Sequence, residues 1–181
     1  MSPLRANFQR TAYYITLESS FGVEVGVKMA DSREFPERPL VGVGGVVISD
    51  GRALLIRRGG PPLQGQWSIP GGMLEVGETL LAGVRRELFE ETGVEVRVGE
   101  LIEVFERINL DKEGKARYHF VVLDYLCEPV RGEARAGSDV TDVAWARPDE
   151  LAKYSLTETA TRVIRKAFEM ARERSLQPDA D

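Results

Sequence analysis

Three glutamates crowd one side of a short stretch of this chain. Glu87, Glu90 and Glu91 stand at i, i+3 and i+4 in the segment TLLAGVRRELFEET, so on a helix their side chains are neighbours. The pattern predicts a helix from about Thr79 to Thr92. At 100° per residue, Leu80, Leu81, Val84 and Leu88 form its core-facing stripe. Glu91 falls inside that stripe and Glu87 on its edge, the wrong place for ordinary solvated charges. Like charges at i,i+4 cost about 0.2–0.5 kcal/mol on an exposed helix, and more when part-buried and unpaired. Arg86 can pair with Glu90 at i,i+4, yet one arginine does not neutralise three carboxylates. A hard divalent cation with oxygen ligands is the simplest missing partner.

The surrounding elements must position those acids. Thr11–Leu17 and Phe21–Met29 read as a strand pair with Glu18-Ser19-Ser20 as the turn, the second strand alternating cleanly. A hairpin alone is marginal, so this one is expected to dock on the main domain or on a second subunit. Asp31–Pro39 reads as a linker. Leu40–Ile48 is an apolar strand whose glycines suggest close backbone packing, and Asp50-Gly51 a hairpin turn into Ala53–Arg58. Gly59–Gln66 is a loop and Trp67–Ile69 a short strand before Pro70-Gly71-Gly72. Beyond the helix, Gly93 is a C-terminal stop and Val94–Arg107 a long strand region. Asp111–Lys115 is a turn, and Arg117–Cys127 is apolar on both faces, as in a sheet covered on both sides. Arg131–Asp139 is a loop and Val143–Ala146 the last strand. Pro148–Leu151 starts a helical turn. Ser155 and Glu158 match a capping box, opening a helix to about Arg174 with Ala160, Val163, Ile164, Ala167 and Ala171 inward. The sum is an α/β sandwich, a mixed central sheet between helices.

Composition bounds the function. With 181 residues, 43% hydrophobic and 29% charged, the chain has room for one sizeable core. A net charge of −5 argues against a non-specific nucleic-acid surface, without excluding a phosphorylated ligand in a local pocket. No apolar run reaches a membrane span and the N-terminus lacks a secretory pattern. The single Cys127 lies in an apolar run and reads as a buried small hydrophobe. A cytoplasmic location follows as the expectation.

Gly72, Glu78, Arg86-Glu87-Leu88, Glu90-Glu91, Gly93 and Val94 match the signature G-x5-E-x7-R-E-U-x-E-E-x-G-U at every fixed position. In this the chain resembles the Nudix hydrolases, from about Leu40 to the terminal helix, and Trp67–Gly71 looks like the family's lead-in. The domain is expected over 36–175, with an N-terminal hairpin extension and linker over 1–35 and a tail over 176–181. The resemblance implies hydrolysis of a nucleoside diphosphate linked to another moiety, with Mg²⁺ or Mn²⁺. By position in the signature, Glu87, Glu90 and Glu91 are the metal ligands. Arg86 orients a glutamate by a bidentate ion pair, and Glu78 holds the loop against the helix. Gly71 and Gly72 let backbone approach metal and phosphates without a Cβ in the way. The catalytic set is therefore Glu87, Arg86 and Glu90. Glu87 is read as the general base, with Glu133, Asp139 and Asp142 as loop alternatives. Arg57 and Arg58 end a strand before the glycine loop, and Arg58 is placed at the substrate because its fork suits a phosphate.

Substrate choice is thinner. Phe35–Val43 and Tyr118-His119-Phe120 look like ADP-ribose pyrophosphatase-like members, but Leu101–Leu110 lacks the proline many of those carry. A nucleoside triphosphate pyrophosphatase, including oxidised nucleotides, is the alternative. A non-catalytic nucleotide-binding module is the third reading, against which every acid of the box is present. His119 reads as a hydrogen-bonded core histidine and Trp67 as a packing residue. The expected partners are a small nucleotide and, through the N-terminal hairpin, a second copy in a homodimer; no nucleic acid or membrane partner is expected.

Overall fold

The computed structural model describes residues 14–18, 24–28, 33–60 and 63–176. It divides into two compact units: residues through Arg38 with Ile108–His119, and Pro39–Arg107 with Phe120 onward. In the smaller unit, β1 (Tyr14–Glu18) and β2 (Glu24–Lys28) pair antiparallel, with Tyr14 opposite Lys28. The expected strand pair is present at the backbone level over these residues, with Glu18 in β1 rather than in the turn. Its turn and the alternation of its faces lie outside the described residues. Within the same unit Glu34 accepts from Tyr118 Oη and from Arg117 Nη2, and these bonds hold its carboxyl below the usual range. His119 is half-buried and makes no hydrogen bond among the described residues, so the expected hydrogen-bonded histidine is not found.

In the larger unit, β3 (Leu40–Ser49) runs through the middle of a mixed sheet. The other strands are β4 (Arg52–Arg58), β5 (Trp67–Ser68), β6 (Gly71–Met73), β7 (Glu95–Leu110), β8 (Ala116–Arg131) and β9 (Val140–Ala146), of which Ile108–Leu110 of β7 and Ala116–His119 of β8 belong to the smaller unit. On one side β3 pairs parallel with β8, Leu40 opposite Phe120 through Val47 opposite Cys127. On its other side it changes partner. Gly42–Gly44 pair with β6, and Ile48–Ser49 with β4 through the Asp50-Gly51 turn. The sequence pattern assigns no element to Pro70-Gly71-Gly72; in the structure Gly71–Met73 is a strand. A glycine-rich stretch carries no strand pattern of its own, and here the β3 backbone supplies the pairing.

Strand alternation sends neighbouring residues to opposite faces. Val46, Ala53, Leu55 and Leu126 join one core with Val163, Ile164 and Ala167 of α2 (Glu158–Leu176). Val43, Val47, Leu54, Tyr125 and Cys127 join the other with Val84 and Leu88 of α1 (Leu80–Thr92). Full burial of a side chain such as Leu88 or Ile164 contributes about 1.5–3 kcal/mol. β8 is thus apolar on both faces because a helix covers each. Cys127 is buried, and burial pushes its thiol up to about 12, which makes it an inert packing residue.

Two helix details depart from expectation. Leu81 is 38% exposed rather than in the core stripe, because Gly83, Val84, Glu87, Leu88, Glu91 and Thr92 form the buried face. α2 is capped by Thr157, whose Oγ1 accepts the Ala160 N–H at 3.1 Å. Ser155 cannot cap there; it sits in the left-handed region at φ 47°, ending the 3-10 helix Pro148–Tyr154.

Candidate active site

The loop before α1 and the helix itself are clamped by one arginine. Arg86 Nε and Nη2 donate to the two carboxylate oxygens of Glu78 at 2.8 and 2.9 Å. Its Nη1 donates to Glu87 Oε1 at 2.7 Å, and Nη2 also reaches the Met73 carbonyl at 3.0 Å. Glu78 and burial act oppositely on Arg86, and the Glu78 bond dominates, raising its pKa. The expected Arg86–Glu90 contact exists but is long, 3.5 Å. Glu78 also accepts the Glu75 N–H at 3.0 Å, so it holds the loop as anticipated. Thr79 Oγ1 caps the helix at Ala82 N, and Gly93 ends it at φ 69° with its N–H on the Phe89 carbonyl.

Glu87 and Glu91 are each 4% exposed. Glu87 lies against Gly72 so closely that a Cβ there would stand 2.5 Å from its carboxyl carbon. Gly71 N donates to Glu91 Oε2 at 2.8 Å. Burial pushes Glu91 up to about 8; the Gly71 bond opposes this, the charges of Asp139 and Glu87 add to it, and Arg58 opposes it again. The structure therefore brings Glu87, Glu91, Gly71, Gly72 and Arg86 together. Glu90 stands outside, with 41% of its side chain exposed.

The loop after β8 wraps the C-terminal end of α1. Arg135 N and Gly137 N donate to the Thr92 and Glu91 carbonyls at 2.9 and 3.0 Å, satisfying acceptors a helix end leaves open. Ser138 turns at φ 49°, and Gly59 N donates to the Asp139 carbonyl at 2.7 Å. Asp139 is thereby set beside Glu91. Of the three loop acids, Asp139 bears on the site, whereas Asp142 accepts the following Val143 N–H at 2.9 Å.

Arg58 ends β4, and its buried Nε has no hydrogen-bond partner. A residue not anticipated joins it. Arg107 is half-buried, and burial and the charge of Arg58 lower its pKa. Neither guanidinium has a carboxylate partner among the described residues. The one signal in the sequence is parity: Arg107 lies two residues beyond the inward-packed Phe105 on β7.

Hard carboxylate oxygens suit a hard divalent cation, and Glu91 is a desolvated acid with no direct cationic partner. Among the described residues no three acidic, histidine or cysteine side chains converge on one point. That still fits Mg²⁺, which takes one or two carboxylates together with water and substrate phosphates rather than a closed protein cage.

The chain matches the NUDIX domain family over residues 38–167. A MutT-like protein of Streptomyces ambofaciens is 38% identical over 139 residues, 75% of this chain and 83% of that protein. An ADP-ribose pyrophosphatase of Methanocaldococcus jannaschii is 30% identical over 140 residues, 75% of this chain and 80% of that one. The crystal structure of a MutT Nudix hydrolase from Burkholderia pseudomallei matches with a TM-score of 0.63 at 31% identity, covering 72% of this chain and 98% of that chain. The chain belongs to the Nudix family. It is a pyrophosphohydrolase, acting on phosphoric anhydride bonds.

Proposed function

We propose that the protein hydrolyses the pyrophosphate linkage of a nucleoside diphosphate derivative such as ADP-ribose, with Mg²⁺ (or Mn²⁺). The observation that carries this is the buried Glu87–Glu91 pair at Gly71-Gly72, with the charge of Arg58 bearing on Glu91 and Arg107 next to Arg58. An acid with no direct cation, Glu91, and a guanidinium with no direct anion, Arg58, are what a metal–pyrophosphate ligand would complete. Glu87 and Glu91 would hold the metal, with Glu90 as the candidate ligand from the exposed side. When bound, the metal neutralises charge on the phosphate oxygens and acidifies water beside phosphorus. Arg86 fixes Glu87, Gly71 and Gly72 leave room for the phosphates, and Arg58 and Arg107 receive the anion. Glu87 takes the proton of the attacking water. Asp139 is the second candidate for that role, favoured by its exposure next to Glu91. The products are a nucleoside monophosphate and a second phosphorylated fragment. The similarity to an ADP-ribose pyrophosphatase supports the choice of substrate.

Product analysis on ADP-ribose, NADH, diadenosine polyphosphates and nucleoside triphosphates with Mg²⁺ tests this reading. AMP from ADP-ribose is expected; pyrophosphate release from triphosphates alone would favour the triphosphate pyrophosphatase. No turnover of any of them would favour a binding module. The same proposal takes 36–175 as the catalytic domain and 1–35 as a dimerising extension of a cytoplasmic protein. Deleting residues 1–30 is expected to reduce the hydrodynamic size, and an unchanged size would contradict the extension's role.

A further inference from the structure

The Pro70–Gly71 peptide has Glu91 at one end. Its N–H, on Gly71, donates to Glu91 Oε2 at 2.8 Å. Its carbonyl oxygen, on Pro70, accepts the Gly45 N–H at 3.1 Å. A trans peptide points its N–H and C=O in opposite directions, so the group facing the carbonyl sits across the peptide from Glu91.

That group is Asp124. It stands next to Gly44 in the β3–β8 register. Gly44 has no side chain, and the point where a Cβ would stand is 2.2 Å from Asp124 Oδ1 and 3.4 Å from the Pro70 oxygen. Carboxyl and carbonyl therefore face the same vacated space. Asp124 is 4% exposed, and no described group donates a hydrogen bond to it. Two acceptor oxygens turned toward one buried space repel unless one of them carries a proton. A carbonyl only accepts, so the carboxyl must bring that proton. The Pro70 oxygen has a second lone pair to receive it beside the Gly45 N–H. Burial pushes Asp124 up to about 7, and Glu103 on β7, the charged group that bears on it, pushes the same way.

We propose that Asp124 is a positioning residue for the active site: its carboxyl O–H donates to the Pro70 carbonyl and, through that single peptide, holds the Gly71 N–H on Glu91. This rests on Glu91 being a metal ligand. A carbonyl that accepts a further hydrogen bond polarises its amide, and the N–H at the other end becomes the stronger donor. Glu91 is thereby kept oriented and ionisable at the metal position. Gly44 is part of the device, since any side chain there would displace Asp124.

The test compares Asp124→Asn, Asp124→Leu and Asp124→Ala with the wild-type protein, reading Mn²⁺ affinity by titration, kcat, KM and melting temperature. Asparagine keeps an N–H donor toward Pro70 without an ionisable proton; leucine and alanine have no donor. Leucine is expected to weaken Mn²⁺ binding and lower kcat by about 10–100-fold, the usual effect of losing an outer hydrogen bond to a ligand, with KM within about twofold. Its melting temperature should be equal or higher. Asparagine should stay within about threefold of wild type in both. Alanine gives the same loss as leucine, so the expectation holds even if the leucine chain does not fold. Wild-type behaviour in all three variants, or an asparagine variant as impaired as alanine, would overturn the positioning role alone. A wild-type protein that binds no Mn²⁺ would overturn the metal reading as well.

Discussion

Helices α1 and α2 cover opposite faces of one sheet and bury their side chains by different rules. α2 buries Ala160, Val163, Ile164 and Ala167 and nothing charged. Its charged residues pair at the surface, Arg162 and Lys166 with Glu103 and Arg174 with Glu128. α1 buries Glu87 and Glu91 beside Val84 and Leu88. A helix whose only task was to cover a sheet would resemble α2. Two carboxylates inside α1's packed face cost stability, and the fold surrounds them with the groups a reaction needs: Gly71-Gly72, Arg86, Asp139 and Arg58. The difference separates a helix that holds the sheet together from one that holds a site.

The largest effect that tests this contrast is on turnover. Glu87→Gln should lower kcat by roughly 10²–10⁴-fold while the protein remains folded, measured by steady-state kinetics alongside a melting curve. Near-normal turnover would make α1 no more than a second α2. The matching change on α2, Ile164→Ala, should do the opposite. It should cost about 2–5 kcal/mol in denaturant unfolding through the cavity it leaves and leave kcat of the folded protein nearly unaltered.

The metal-free protein should also respond to pH through α1. Glu91 is raised from 4.5 to about 8 and Asp124 from 3.8 to about 7. The folded state therefore binds more protons than the unfolded chain between those values, and stability falls as pH rises. The contribution is fully present below about 4 and lost as pH climbs through about 8, on the order of a few kcal/mol. Denaturant melts from pH 5 to 9 with a chelator should show the fall, and excess Mg²⁺ should remove the share that comes from Glu91. A flat profile without metal would mean the carboxylates are stabilised by the protein alone. The smallest expected effect is at α2's surface, where Arg162→Ala should leave melting temperature and kcat close to wild type.

Much of this was legible in the chain because it is local. Period 3.6 located α1, with its acids on the buried side, and α2, with Ala160 to Ala171 inward. Asp50-Gly51 and Gly93 mark a turn and a stop by their backbone demands, and the double-sided apolarity of β8 declared a covered sheet. What could not be read depends on partners far away in sequence. Leu81 is as apolar as Leu88, and only the sheet's position decides which of them is buried. Ser155 carries a cap sequence, but the preceding 3-10 turn forces it left-handed, so Thr157 caps instead. The glycines of β6 carry no strand pattern until β3 pairs with them. Within the site, Glu87, Glu91, Arg86, Gly71 and Gly72 were visible as a spaced motif. Arg107 and Asp124 were not, since each matters only through a neighbour brought by the sheet, Arg58 for one and Pro70 for the other.

On the proposed function, the acids buried by α1 complete a site for a divalent metal. Titrating Mn²⁺ into the wild-type protein and into Glu91→Gln, with Mg²⁺-dependent hydrolysis of ADP-ribose measured on the same samples, tests it most directly. Saturable binding and turnover are expected in the wild type, both lost or greatly weakened in Glu91→Gln, whose metal-free melting temperature at pH 8 is unchanged or higher. Equal Mn²⁺ binding and equal turnover in the two proteins would contradict it.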